Sequence, residues 1–467
     1  MSGATRLLGS AALLALLGAL IVLTLDAAQA PSRYVPGESG GWPAWLAGPL
    51  AGAGSRLGSV NFETLMLVVC GAYLLALLTA RALPLRRLAA AVLAAHVVLA
   101  LGPPLLSQDV FGYIAFARMG ALHGLDPYTH FPAEAGGDPV FGFIGWPFQH
   151  SPYGPLFTLA GYATAPLGVA GAMWTLKAVT ALCSLAAVWL TARTAARLGR
   201  SAAFATVFVG LNPVLLVLAV GGAHNDTLLI LALSLALALS AEARPRGAAL
   251  ALAGGVGVKL TAGLLLPFLV LGEPRWRRRA DVALAAAAGL LAVAAVGVVG
   301  FGPHALGFLT AIGEQQQLVS THSVPAETAR LVGLSGTPNW WRQLWAAGFL
   351  LALAYALWRT ARGADWRAAA GWATLALLVS TAWLLPWYAI WALPLAAVCA
   401  DRRLRGAVLV LCAYAVLIHL PLADPLLSPP KTRAGTLPRG VGTPVLRDRV
   451  EFTGLEVLRH VSLDLRW

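Results

Sequence analysis

The stretch "SQDVFGYIAFARMGALHGLDPYTHFP", residues 107–132, gathers two aspartates, an arginine, two histidines and several aromatics. The chain around it is 58% hydrophobic and only 11% charged. Asp109 is the group in it best suited to chemistry. A carboxylate there can take a proton from a hydroxyl, or it caps a helix by accepting backbone N–H bonds. Lys259 stands in "GGVGVKLTAG", far from the basic flanks on either side. A phosphate suits it, because an ammonium is a mobile point charge. The structural alternative is an ion pair with a buried carboxylate such as Asp226. His224, Asn225 and Asp226 lie together in "GGAHNDT", where they orient a polar ligand or cap the next helix. His322 lies in a third polar stretch, "IGEQQQLVSTHSVPAET". Asp126, Glu134 and Asp138 share one loop without a recognised ligand spacing. Cys70, Cys183, Cys399 and Cys412 all sit in apolar runs and read as small buried hydrophobes. No metal site and no cofactor is expected.

These groups need a scaffold, and the composition dictates its kind. A soluble domain carries about a quarter charged residues. Here apolar runs long enough to cross a bilayer recur along 467 residues. In hydrocarbon the backbone must satisfy itself, so the reading is an all-α polytopic membrane protein. The net charge of +13 is not one patch, which argues against nucleic acid. It falls in short bursts: Arg81, Arg86 and Arg87; Arg193, Arg197 and Arg200; Arg244 and Arg246; Arg275 and Arg277 to Arg279; Arg359, Arg362 and Arg367; Arg402, Arg403 and Arg405. Placing each burst in the cytoplasm orients the chain.

Spans are then expected near 7–25, 62–78 and 88–101, followed by an interfacial helix over 154–173. Further spans begin near Trp174 and cover 204–220 and 228–239. Two short helices within 247–271 meet at a break around Lys259. Spans near 282–299 and 343–358, a helix pair turning at "AWLLPWYAIW", and a last span near 408–420 complete the path. This makes about thirteen transmembrane helices, with the N-terminus inside and the C-terminus outside. The expected organisation is an N-terminal hairpin (1–87), a transmembrane core (88–424) and a tail (425–467). The core carries a first outer loop (105–173), with interfacial helices, and a second (303–340). Residues 1–30 carry signal-like features, including "AAQA", but their apolar part is longer than a usual signal core, so an uncleaved helix is expected. No internal repeat, phosphate-binding loop or nucleotide-binding domain is visible. On this path the polar stretches around Asp109, His224–Asp226 and His322, with Lys259, face the outer side. Intramembrane ionisable groups are costly and mark function by default.

The order of "SQDVFGYIAFARMGALHGLDPYTH", "HSPYGPLF", "LNPVLLVLAVGGAHNDTL", "GVKLTAGLLLPF" and "AWLLPWYAIWALPLA" resembles the actinobacterial polyprenol-phosphate-mannose-dependent α-1,6-mannosyltransferases of the GT-C superfamily, over most of residues 88–400. The resemblance implies a multi-pass plasma-membrane enzyme with an extracytoplasmic site. Its donor is a mannosyl phosphate on a polyprenol; its acceptor is a lipid-linked mannan or lipoglycan. A β-linked donor and an α-linked product imply a single inverting displacement. By the same resemblance Asp109 is the catalytic base, and Lys259, with Arg118, binds the donor phosphate. His224, Asn225, Asp226, Tyr113, Tyr153, His322 and Trp387 contact the sugar or acceptor. The outer tryptophans Trp340, Trp341, Trp383, Trp387 and Trp391 are interface anchors, or stack on a sugar ring. One departure stands out: many superfamily members carry adjacent acids where this chain has Gln108 and Asp109, which argues against a metal-dependent subtype. The competing readings are a lipid-linked glycan transporter, and a glycan ligase or polymerase using lipid-diphosphate donors.

Overall fold

The computed structural model describes residues 3–29, 32, 34–35, 42–54, 61–418, 420 and 450–452. The helices in chain order are α1 (Gly3–Ala27), α2 (Ala44–Ala47), α3 (Phe62–Thr79), α4 (Leu85–Leu101), α5 (Asp109–His123), α6 (Pro155–Tyr162), α7 (Gly168–Arg197), α8 (Ala202–Gly210) and α9 (Asp226–Ala241). There follow α10 (Pro245–Val256), α11 (Leu266–Leu271), α12 (Trp276–Phe301), α13 (Gly307–Gln315), α14 (Val324–Leu331), α15 (Asn339–Ala361), α16 (Trp366–Ser380), α17 (Leu393–Val398) and α18 (Arg402–Leu417). The strands among the described residues form one short antiparallel pair, β1 (Leu318–Ser320) with β2 (Val450–Phe452). Apart from that strand, most of the expected tail lies outside the described residues.

Length and composition suit five helical segments to crossing a bilayer: Gly3–Ala27, Phe62–Ala82, Ala165–Arg197, Trp276–His304 and Asn339–Ala361. A sixth forms if the pair Ala202–Gly210 and Val214–Val220, bent by 43°, counts as one span. The expected thirteen are therefore not reproduced by this measure. Other apolar helices, such as Asp226–Ala241, fall short of the ~20 residues a full crossing needs. The molecule is an integral membrane protein with several spanning helices.

Two expected boundaries move. The span placed near Trp174 begins earlier, because the chain turns at Gly168 (φ +69°) and then runs unbroken to Arg197. The interfacial piece before it shrinks to α6 and one 3-10 turn, Ala165–Leu167. The span expected as straight over 204–220 bends at Asn212–Pro213, where proline has no N–H to give. The bend is satisfied internally. Asn212 Oδ1 accepts from the Val214 amide at 3.0 Å, Asn212 donates to the Tyr73 hydroxyl at 3.3 Å, and Tyr73 donates to Phe208 O at 3.0 Å.

This bent pair is the centre of the fold. Every residue from 205 to 227 is buried. Around it α1 packs on α3 and α4, α7 on α8 and α9, and α10 on α9 and α12. The break expected near Lys259 is present: α10 stops at Val256, and a 3-10 turn, Leu260–Leu265, leads into α11. Lys259 is extended there (φ −150°, ψ 126°).

Candidate functional site

Four pieces of chain meet at one place. Asp109 is the first residue of α5, preceded by Gln108, whose side chain makes no cap. The carboxylate therefore sits one position inside the helix and is not the expected cap. A negative charge is favourable there, against the helix N-terminus. Its own amide donates to Ser107 Oγ at 3.1 Å. The second piece is His224-Asn225-Asp226, the turn from the bent pair into α9. The third is the break at Lys259. The fourth is the 3-10 turn Pro386–Ala392, which carries Trp387, Tyr388 and Trp391.

His224 is fully buried, and its Nδ1 lies 3.3 Å from Asp109 Oδ2. That is within ion-pairing reach but without hydrogen-bond geometry, so both ring nitrogens remain without a hydrogen-bond partner. The ring stacks on Trp387, centroids 3.7 Å apart and planes 22° apart. Asp226 Oδ1 accepts from Lys259 Nζ at 2.7 Å and from Trp391 Nε1 at 2.6 Å. Its Oδ2 has no partner. The Lys259 ammonium lies 4.4 Å from the Tyr388 ring centroid and 5.2 Å from that of Trp391, a cation–π arrangement. Asn225 receives a long bond from the Tyr113 hydroxyl at Oδ1 (3.5 Å), while its Nδ2 is buried without a partner. Tyr113 in turn meets Tyr153 edge-on at 5.0 Å. Burial, then the neighbouring Tyr153, Asp109 and Asp226, pushes the Tyr113 phenol well above its usual range. Burial, then Asp109 and other neighbours, does the same for Tyr153. Both phenols therefore stay protonated and can donate.

Buried polar groups without partners are rare and call for explanation. Four such atoms lie on the consecutive residues His224, Asn225 and Asp226, and the first of these faces the Asp109 carboxylate, whose side chain is 13% exposed. The backbone beside them is strained. Leu106 (φ 60°) and Ala223 (φ 58°) take the left-handed conformation without being glycine, a feature that clusters at functional sites.

Asp109, His224, Asn225, Asp226, Lys259, Tyr113, Tyr153 and Trp387 thus fall within one cluster. Arg118 and His322 are held elsewhere. Arg118 Nε is forked onto Asp138 at 2.8 and 3.0 Å, and its NH1 reaches Ala165 O at 3.3 Å. Burial alone would raise the Asp138 carboxyl. Bonds from Arg118, His123 and the Val140 amide outweigh it and hold the group below the usual carboxylate range. His322 Nδ1 meets Glu327 at 2.7 Å, and Glu327 also takes Arg330 at 2.6 Å. The stretch before His322 is stitched to the aromatic wall: Ser320 Oγ donates to Leu384 O at 2.7 Å and accepts from the Leu384 amide at 2.8 Å. Among the described residues no group of three or more His, Cys, Asp or Glu side chains is arranged to hold a metal ion. Sequence reasoning has the aromatic turn Trp383–Tyr388 capping the cluster and gives Trp391 as an anchor or a ring that stacks on sugar; it does not single out Lys177. A lone lysine in the run "MWTLKAVTAL" was the available signal for Lys177.

Over residues 11–273 the sequence matches the family described as "Alpha-(1->6)-mannopyranosyltransferase, N-terminal domain", and over residues 332–437 the one described as "MptB C-terminal domain". Alpha-(1->6)-mannopyranosyltransferase A of Mycobacterium tuberculosis is 33% identical over 366 residues, covering 69% of this chain and 67% of the relative. Alpha-(1->6)-mannopyranosyltransferase A of Corynebacterium glutamicum is 28% identical over 173 residues, 36% of this chain and 35% of that one. No solved structure matches the chain.

Proposed function

Since the chain belongs to the alpha-(1->6)-mannopyranosyltransferase family, and is thus a hexosyltransferase with membrane helices, we propose that the Asp109 cluster is its catalytic site. On this reading mannose passes from a polyprenyl-phosphate donor to a lipid-linked mannan or lipoglycan acceptor on the outer face of the plasma membrane, forming α-1,6 linkages. The chain would cross about thirteen times, N-terminus inside, with short helices completing crossings inside the protein.

Asp109 takes the proton from the acceptor hydroxyl as that oxygen attacks the anomeric carbon. The polyprenyl phosphate departs from the opposite face, so the configuration inverts in one step. His224, stacked on Trp387, steadies the Asp109 carboxylate and offers its other nitrogen to a sugar hydroxyl. Asn225, Asp226 Oδ2, Tyr113 and Tyr153 supply further donors and acceptors, and His322 stands on the acceptor side. Lys259 receives the leaving phosphate, where a fixed positive charge is most effective. Asp226 holds it in readiness and must share it when the donor binds. Arg118 could join only by giving up Asp138.

The observation that carries this reading is a partly exposed carboxylate, Asp109, against His224, at the head of a run of three residues that hold unpartnered buried polar atoms. A lipid-diphosphate donor would meet the same cluster, so donor identity is the deciding measurement. Purified protein should turn over radiolabelled polyprenyl-phosphate-mannose with a short mannoside and leave a lipid-diphosphate sugar unused. Asp109→Asn should lower kcat by roughly 10²–10⁴-fold, the usual worth of a general base. Turnover within a few-fold of wild type would remove Asp109 from that role.

A further inference from the structure

Lys177 lies roughly 18 Å along the span Ala165–Arg197 from its Ala165 end, at 1.5 Å per residue, and is fully enclosed. Its ammonium donates to two main-chain carbonyls, Pro103 O at 3.2 Å and Gly221 O at 3.1 Å. It forms no ion pair with a carboxylate among the described residues. Burying a cation is expensive, and a methionine would fill much the same volume, so packing does not account for it. The two carbonyls do. Pro103 follows the C-terminus of α4, and Gly221 follows directly on the turn Val214–Val220. The Gly221 carbonyl, at a helix end, lacks a helical partner and carries the negative end of the helix dipole; the Pro103 carbonyl lies in extended chain, where no helix bonds it. Gly221 O also accepts from the Leu105 amide at 3.0 Å, so the two segments are joined twice at this level.

Beyond this clamp each segment passes through a strained residue and then delivers a site group. One runs from Pro103 through Leu106 (φ 60°) to Asp109, the other from Gly221 through Ala223 (φ 58°) to His224. Strained backbone persists only where its surroundings over-determine it. We propose that Lys177 is a positioning residue for the transfer reaction. By tying Pro103 to Gly221 it fixes the separation of Asp109 and His224. This rests on the reading of Asp109 as the base.

The test uses the full-length protein in detergent or bilayer, with Lys177→Met and Lys177→Gln. In Lys177→Met, amide hydrogen exchange should quicken in peptides covering residues 103–109 and 219–226 and stay unchanged in α12 and α15. Its kcat should fall at least about tenfold with the donor KM within about twofold, since misplaced catalytic groups spare ground-state binding. Lys177→Gln keeps two N–H donors on a neutral end and should recover kcat to within about fivefold of wild type. Unchanged exchange, or faster exchange with unchanged kcat, overturns the proposal. So does a Gln variant as slow as the Met variant. If Lys177→Met does not fold, Lys177→Gln decides alone: near-normal kcat supports the clamp, and a tenfold loss with normal exchange refutes it. Asp109→Asn in the same assay shows separately whether the catalytic reading itself has failed.

Discussion

Lys259 and Asp226 meet at 2.7 Å with Asp226 almost wholly buried, and each offsets the other's charge. Removing one partner leaves an uncompensated charge and should cost about 3–5 kcal/mol, whereas replacing both costs far less. Lys259→Met and Asp226→Asn are therefore expected each to lower the unfolding temperature, and the double variant to regain most of it. Turnover should stay low in Lys259→Met and in the double variant, because the donor phosphate has lost its cation. Thermal unfolding in detergent, run beside the transfer assay, checks both halves. A double variant no more stable than the worse single would mean that the pair does not act as a unit. The sequence offered phosphate and carboxylate as rival partners for Lys259. The geometry holds the second and keeps the first open, because an ammonium has three donors and Asp226 Oδ1 takes one. Nothing local in the sequence could rank them, since the two residues lie 33 positions apart.

The elements that place Lys259 are held by a close backbone approach. The Gly154 amide donates to Val258 O at 3.0 Å, and the first amides of α6, Leu156 and Phe157, donate to Gly257 O at 2.9 and 3.1 Å. A Cβ at position 154 would lie 2.5 Å from the Gly257 carbonyl carbon and oxygen, where only backbone could yield. Gly154→Ala should therefore destabilise by about 1–3 kcal/mol and raise the donor KM several-fold, since Lys259 is two residues beyond Gly257. A donor titration reads this directly; an unchanged KM would uncouple the α6 contact from Lys259. Much at this scale was legible. The break around Lys259 announced itself through glycines flanking a lysine, and "GGAHNDT" through polarity in an apolar run. The bend at Asn212–Pro213 was missed because one apolar run was read through it, and part of what satisfies the bend, Tyr73, comes from another helix. Lys177 was missed because its partners are main-chain carbonyls, which leave no trace in residue types.

At the scale of the molecule the two long loops, 105–173 and 303–340, are fastened to each other. His150 meets Glu314 at 3.0 Å, and His304 meets Asp126 at 3.0 Å. If arginine bursts mark the cytoplasm, His150 and Arg278 lie on opposite sides of the membrane. Single cysteines at these positions, introduced into a variant lacking the native four, should react with an impermeant thiol reagent from opposite faces. Labelling of both from one face would refute the orientation. Among the described residues five helices, or six with the bent pair, are long and apolar enough to cross alone, against about thirteen apolar runs expected to span. Several are short helices packed inside the protein, where neighbouring chain rather than lipid satisfies them.

The same arrangement separates the enzyme's interior from its solvent. The bent pair that ends at His224 is enclosed from residue 205 to 227. By contrast, only Val282, Ala286, Gly297 and Phe301 are buried in α12, and only Ala356 and Thr360 in α15. A bilayer that is too thin or too thick acts on the helices it touches, through tilt and local deformation costing fractions of a kcal/mol per Å. Those helices form the rim. Reconstituted in lipids of graded acyl length, the enzyme should shift its unfolding temperature with hydrophobic mismatch while kcat varies by less than about twofold, so that membrane thickness tunes how long the protein lasts and leaves how fast it works largely alone.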